Sequence, residues 1–220
     1  MAPRLEIAAT SVVLAGSFNP PIFQPRWFEV NELLGPEHAR EAEKNLRALG
    51  NDLLAFVVEW LELQVTPDTC IVVTNDSTRE SDLRDLVAGA FSLLGHTPLG
   101  ALGLNRLVHY QYTEAEDYDR VVNDYLTTTK PWDFLEAPEA TGVRMRSPRG
   151  EEPKPGVTNV EIAPSVRIPS LGLFVAVNDH YDWSVDGEMA VAEDLPGILD
   201  KEWDVARNRA NSIISQIVNA

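Results

Sequence analysis

The chain has 220 residues, 44% apolar and 24% charged, an ordinary globular composition that excludes disorder as the default state. Its 34 acidic and 18 basic residues give a formal charge of -16, a field that repels nucleic-acid phosphate and anionic lipid, so neither nucleic acid nor membrane is expected as a partner. A single cysteine, Cys70, excludes an internal disulfide, and no stretch approaches the roughly 20 apolar residues of a membrane span, so a soluble, cytoplasmic protein is expected.

In chain order, residues 11–17 read as a buried strand, because Val12, Val13, Leu14 and Ala15 run together before the Asn19-Pro20-Pro21 break. A short helix is predicted at 26–34, and a second from Pro36 through Leu49 to a stop at Gly50. Segments 53–65 and 69–75 flank Thr66-Pro67-Asp68 and read as a hairpin, although 53–63 also suits a helix. Ser77 and Glu80 have capping-box spacing, and Leu83, Leu86, Val87, Ala90, Phe91 and Leu94 then form one helical face ending at Gly95. A strand follows at 102–112, then a helix from Thr113 with Tyr118, Val121, Val122 and Tyr125 inside and Pro131 at its end. Residues 137–155 read as a mobile loop around a short strand at 142–146. Two strands, 159–168 and 171–178, pair across Pro169-Ser170. The last helix, from about 196 to 218, carries Leu199, Trp203, Ala206, Ala210, Ile213, Ile214 and Ile217 on one face. With no internal repeat and no linker evident, the expectation is one α+β domain over 1–220: a single, mostly antiparallel twisted sheet, helices on one face, and the long C-terminal helix packed across it.

No complete catalytic motif stands in the chain, so no catalytic residue is assigned and no cofactor is implied. Asp182, Ser184, Asp186, Gly187 and Glu193 have the spacing of a calcium loop, but Trp183 and Val185 are bulky and a strand precedes them, so an ordinary acidic loop is expected and no metal site is assigned. Of the four histidines, His38, His96, His109 and His180, none has a partner at metal-ligand spacing. Asn105 and His109 share one predicted strand, and Asn178, Asp179 and His180 end another. If these strands are neighbours, the five residues are the candidate ligand-binding set, with Arg106 on the opposite strand face from Asn105 and His109.

The stretch VVLAGSFNPP at 12–21 resembles the phosphate-binding opening of the adenylyltransferases that make dinucleotide cofactors. Those enzymes continue into a His-x-Gly-His element. Residues 22–27 here contain no histidine, so a degenerate nucleotidyltransferase is only a remote alternative. Four further segments, Gly16-Ser-Phe-Asn-Pro-Pro-Ile-Phe-Gln-Pro-Arg-Trp-Phe28, Leu63-Gln-Val-Thr-Pro67, Leu102-Gly-Leu-Asn-Arg106 and Val177-Asn-Asp-His-Tyr181, resemble a sporadically distributed group of bacterial proteins with no assigned activity. That resemblance implies a bacterial cytoplasmic origin and a single domain. Two functions stay open: a non-catalytic binding or assembly module acting on a protein partner or as a homo-oligomer, and a small-ligand or enzymatic pocket between the sheet and the C-terminal helix.

Overall fold

A computed structural model of the chain describes residues 2–126, 136 and 140–219. Pro131 and the first residues of the expected 137–155 loop therefore lie outside the described residues. The first half of the chain forms β1 (Arg4–Gly16), α1 (Pro25–Val30), α2 (Pro36–Lys44), β2 (Leu46–Leu49), β3 (Leu54–Val58), β4 (Leu61–Val65), β5 (Thr69–Thr74) and α3 (Glu80–Leu93). The second forms β6 (Pro98–Gln111), α4 (Ala115–Leu126), β7 (Val143–Pro148), β8 (Gly156–Pro164), β9 (Gly172–Asp182), β10 (Ala190–Val191) and α5 (Leu195–Val218).

One open antiparallel sheet of ten strands runs in the order β2-β3-β4-β5-β1-β6-β9-β8-β7, with β10 pairing the start of β6. The long C-terminal helix packs against it, so the fold is α+β as its composition of hairpins and scattered helices implied. Read from the centre outward, the sheet contains a repeat that the sequence does not announce. A strand, helical segment, three-strand meander and helix (β1, α1–α2, β3–β4–β5, α3) recur as β6, α4, β7–β8–β9, α5, and the strand orders mirror each other across the β1–β6 seam. The expectation of no internal repeat is thus corrected at the level of topology.

Side-chain alternation makes the two sheet faces different in kind. Along β3, β5 and β9, fully buried and half-buried residues alternate strictly over most of their length. The buried set (Leu54, Phe56, Val72, Leu104, Val175, Val177) meets the helices, with Ala42, Phe91, Leu199, Trp203, Ala206 and Ile214 packing onto it. The alternate set faces away from every helix among the described residues.

Several element boundaries differ from expectation for local reasons. The second helix stops at Lys44 with Asn45 as its cap, and Leu46–Leu49 pairs with β3 as an edge strand instead of continuing to Gly50. Residues 53–65 form two strands joined at Glu59-Trp60, not one strand or a helix. Ser77 and Glu80 do not form a capping box: Asp76 caps the preceding turn by accepting from the Thr78 N–H, and the Glu80 carboxylate turns inward to Thr10 and Arg106. The strand expected at 142–146 is β7, and β8 ends at Pro164, so Ser165 and Arg167 belong to the connection into β9.

Candidate functional site

The Gly-Ser-Phe turn is a structural joint. The N–H groups of Gly16, Ser17 and Phe18 donate to the carbonyls of Asp68, Pro98 and Pro67 at 3.0, 2.9 and 2.8 Å, so the donors a phosphate would need are already engaged. A Cβ on Gly16 would come within 2.4 Å of the Pro98 carbonyl oxygen, which explains the glycine by close backbone approach. Phe18 packs edge-on against Phe23 and Phe91 in the core.

On the helix-covered face the sheet buries charges in pairs. Glu80 of α3 and Arg106 of β6 form an ion pair with side chains only 8% and 16% exposed, and Thr10 of β1 donates to the same carboxylate oxygen at 2.8 Å. Asp179 of β9 is bonded by Arg209 of α5 and accepts from Thr158 at 2.6 Å, while Arg149 lies 3.8 Å away and stacks over the Tyr181 ring. Burial pushes the Tyr181 phenol above its ordinary range, so it stays protonated and donates to Glu202 at 3.0 Å. Between these pairs and α5 lies a cavity of only about 30 Å³, room for about one water rather than for a substrate.

Four of the five candidate residues lie on the other face. Asn159, Asn178, Asn105 and Ser11 stand in register across β8, β9, β6 and β1. Their side chains form a one-directional ladder: Asn159 donates to Asn178 at 3.0 Å, Asn178 to Asn105 at 2.6 Å, and Asn105 to the Ser11 hydroxyl at 3.2 Å. Each central amide both accepts and donates, which polarises the row. A Cβ on Gly103 would sit 2.8 Å from the Asn178 amide nitrogen, so glycine there leaves the row its path.

The remaining candidates do not join this pair. His109 is opposite Phe174 and His180 opposite Gly103, so the two histidines lie six β6 positions apart, about 20 Å. Asp179 points to the helix side, away from Asn178 and His180. Of the five, Asp179 lines the small cavity between the sheet and the C-terminal helix and Asn105 borders it, while strand alternation sends the side chains of Leu104, Arg106 and Val108 toward the helices and those of Asn105 and His109 away from them, as the reading of Arg106 required.

Beyond the amide row, the uncovered face sinks into an open hollow of about 740 Å³. Its floor is Ile7, Ala9, Leu107, Phe174 and Ala163, and its rim carries Glu62 and Glu161. Both carboxylates are paired, Glu62 with Arg47 at 2.9 Å and Glu161 with Arg144 at 3.1 Å. His109 enters this hollow with 6% exposure, its ring against Phe174 and its Nδ1 2.7 Å from the Ser165 hydroxyl. Burial, with the nearby Arg167 charge second, holds its proton affinity below the usual histidine range. Ser165 and Arg167 were not among the sequence candidates; a polar residue in a strand connection carries no signal of its own.

Among the described residues, no group of three or more His, Cys, Asp or Glu could hold a metal ion, and no helix is long and apolar enough to cross a membrane. The Asp182 carboxylate accepts from the Ser184 N–H at 3.0 Å, closing its own turn. Cys70 is buried and its thiol is pushed up to about 12, which makes it inert as a nucleophile. Fold and faces together define an α+β protein with one helix-packed and one open sheet surface. No protein-family model matches the chain, and no curated protein matches it in sequence.

Proposed function

We propose that the protein is a non-catalytic binding and assembly module whose working surface is the uncovered sheet face, and that the surface it meets is the same face of a second copy. The observation that carries this reading is the half-buried set Ile7, Ala9, Val73, Leu107, Phe174 and Ala176, contiguous over adjoining strands with no helix above it among the described residues. Contiguous apolar surface of that kind marks contact sites.

Charge and size both favour a second copy. The molecule carries -16 overall, yet the hollow's two acidic groups are each neutralised by an arginine of the same chain, so this face lacks the repulsion that the rest of the surface would impose. Six central strands at about 4.8 Å spacing and about eight residues of length at about 3.3 Å give roughly 750 Å². A standard interface needs about 800 Å² per partner. A homodimer built on one face is also the commonest closed assembly.

Sedimentation over a wide concentration range tests the proposal. Wild type is expected to dimerise, and Ala176→Arg, which places a charge in the middle of the face without touching the core, is expected to sediment as a folded monomer. A wild type that stays monomeric at every concentration, or an Ala176→Arg protein that dimerises as well as wild type, overturns it.

A further inference from the structure

We propose that the hollow on the uncovered face is a binding site for an amphipathic monocarboxylate, its acid group received by the His109 Nε2–H and the Arg167 guanidinium and its apolar part laid over Ile7, Ala9, Leu107 and Phe174. The site is complete within one chain; since Ile7, Ala9, Leu107 and Phe174 also belong to the face proposed to meet a second copy, the acid and the second copy compete for it.

The hydrogen bonds at Ser165 assign the tautomer of His109. The Ser165 hydroxyl oxygen accepts from the backbone N–H groups of Arg167 and Ile168 at 3.2 and 3.0 Å, which occupies both of its lone pairs. Its one hydrogen is left for the His109 Nδ1 at 2.7 Å. Nδ1 therefore accepts, and a neutral ring carries its hydrogen on Nε2. Among the described residues nothing bonds that Nε2–H, and it is not one of the donors closed off from solvent, so it opens to the hollow that His109 lines. A donor held in one orientation and opening into a hollow with an apolar floor is placed to meet an acceptor from outside.

Arg167 supplies the charge. It also lines the hollow, it makes no ion pair among the described residues, and its field reaches the His109 ring. One neutral donor and one free cation match the single charge and two oxygens of a carboxylate. A dianionic phosphate fits worse, because Glu62 and Glu161 stand on the rim and their arginines are already engaged. The volume, about 740 Å³, falls within the roughly 300 to 1,000 Å³ of small-molecule sites, and the apolar floor with a few convergent polar groups has their usual composition.

Octanoate and octanol are the probes, titrated into the full chain and followed by the ring-nitrogen resonances of His109 and by calorimetry. Octanoate is expected to bind saturably and at least tenfold tighter than octanol, with the Nε2 resonance moving and Nδ1 staying an acceptor. Arg167→Ala alters an exposed side chain outside the core and should abolish the preference for the acid, as should His109→Phe. No saturable binding, equal affinity for acid and alcohol, or an unchanged preference in both variants overturns the proposal. The Ala176→Arg monomer separates it from the dimer: binding of octanoate there leaves this site standing whatever the wild type's oligomeric state, and a monomer that ignores octanoate removes only this site.

Discussion

Trp203 is 5% exposed and lies between α5 and the sheet, on the same helix face as Leu199, Ala206 and Ala210. Trp203→Ala should cost about 3 to 5 kcal/mol, the range for truncating a buried aromatic, read as an earlier midpoint in urea. An unchanged midpoint with lost self-association would instead place this helix face at an interface. His109 gives a pH prediction with a definite sign. The unfolded chain takes up a proton near pH 6.5, whereas folded His109 resists it because of burial and Arg167. From about pH 6.5 downward the unfolded state binds more protons, so the stability associated with neutral His109 is complete above that pH and is lost as the pH falls through the folded value. His180, lowered mainly by burial, contributes in the same direction. Thermal melts from pH 7.5 to 5 should show a steeper loss for wild type than for His109→Phe; parallel curves would refute this.

At the scale of elements, α3 is fastened to the sheet by the Glu80–Arg106 pair as well as by its apolar stripe. Arg106→Met leaves a buried carboxylate unpaired and should cost about 3 to 5 kcal/mol, while adding Glu80→Leu should recover much of that loss. A urea double-mutant cycle measures the difference, and a double variant no better than the single one would show that packing, not charge, is at stake. Helices α3 and α5 were legible from sequence because their apolar residues recur at helical spacing and end at Gly95 or the chain terminus. Which face of β6 meets them was not. Leu104 and Val108 alternate with Leu107, so both rows carry large apolar side chains and period-two alternation alone does not say which is inside. Asn105 and Asn178 could therefore be chosen as candidates, but the face their side chains take could not be read. Ser165 and Arg167 were hidden for another reason: β8 stops at Pro164, four residues before the end its sequence suggests, and the residues beyond it act through a turn.

For the whole molecule, a mostly antiparallel α+β architecture was readable because short strands joined by brief turns leave little room for parallel crossovers. The mirrored halves were not, since topology repeats here without repeated residues. Their seam has a consequence for how the chain reaches its native state. The outer strands find their neighbours within a few residues, as β3, β4 and β5 do in succession. β1 pairs with β5 through Thr10 and Thr74 and with β6 through Val12 and Leu104, separations of 64 (74 minus 10) and 92 (104 minus 12) residues. Closing such long loops precedes any gain from the contacts and slows folding. β1 is thus placed late on both sides: Val12, Val13 and Leu14 stay an unpaired apolar segment until β5 has been made, and keep one open edge, a template for pairing with another chain, until β6 follows.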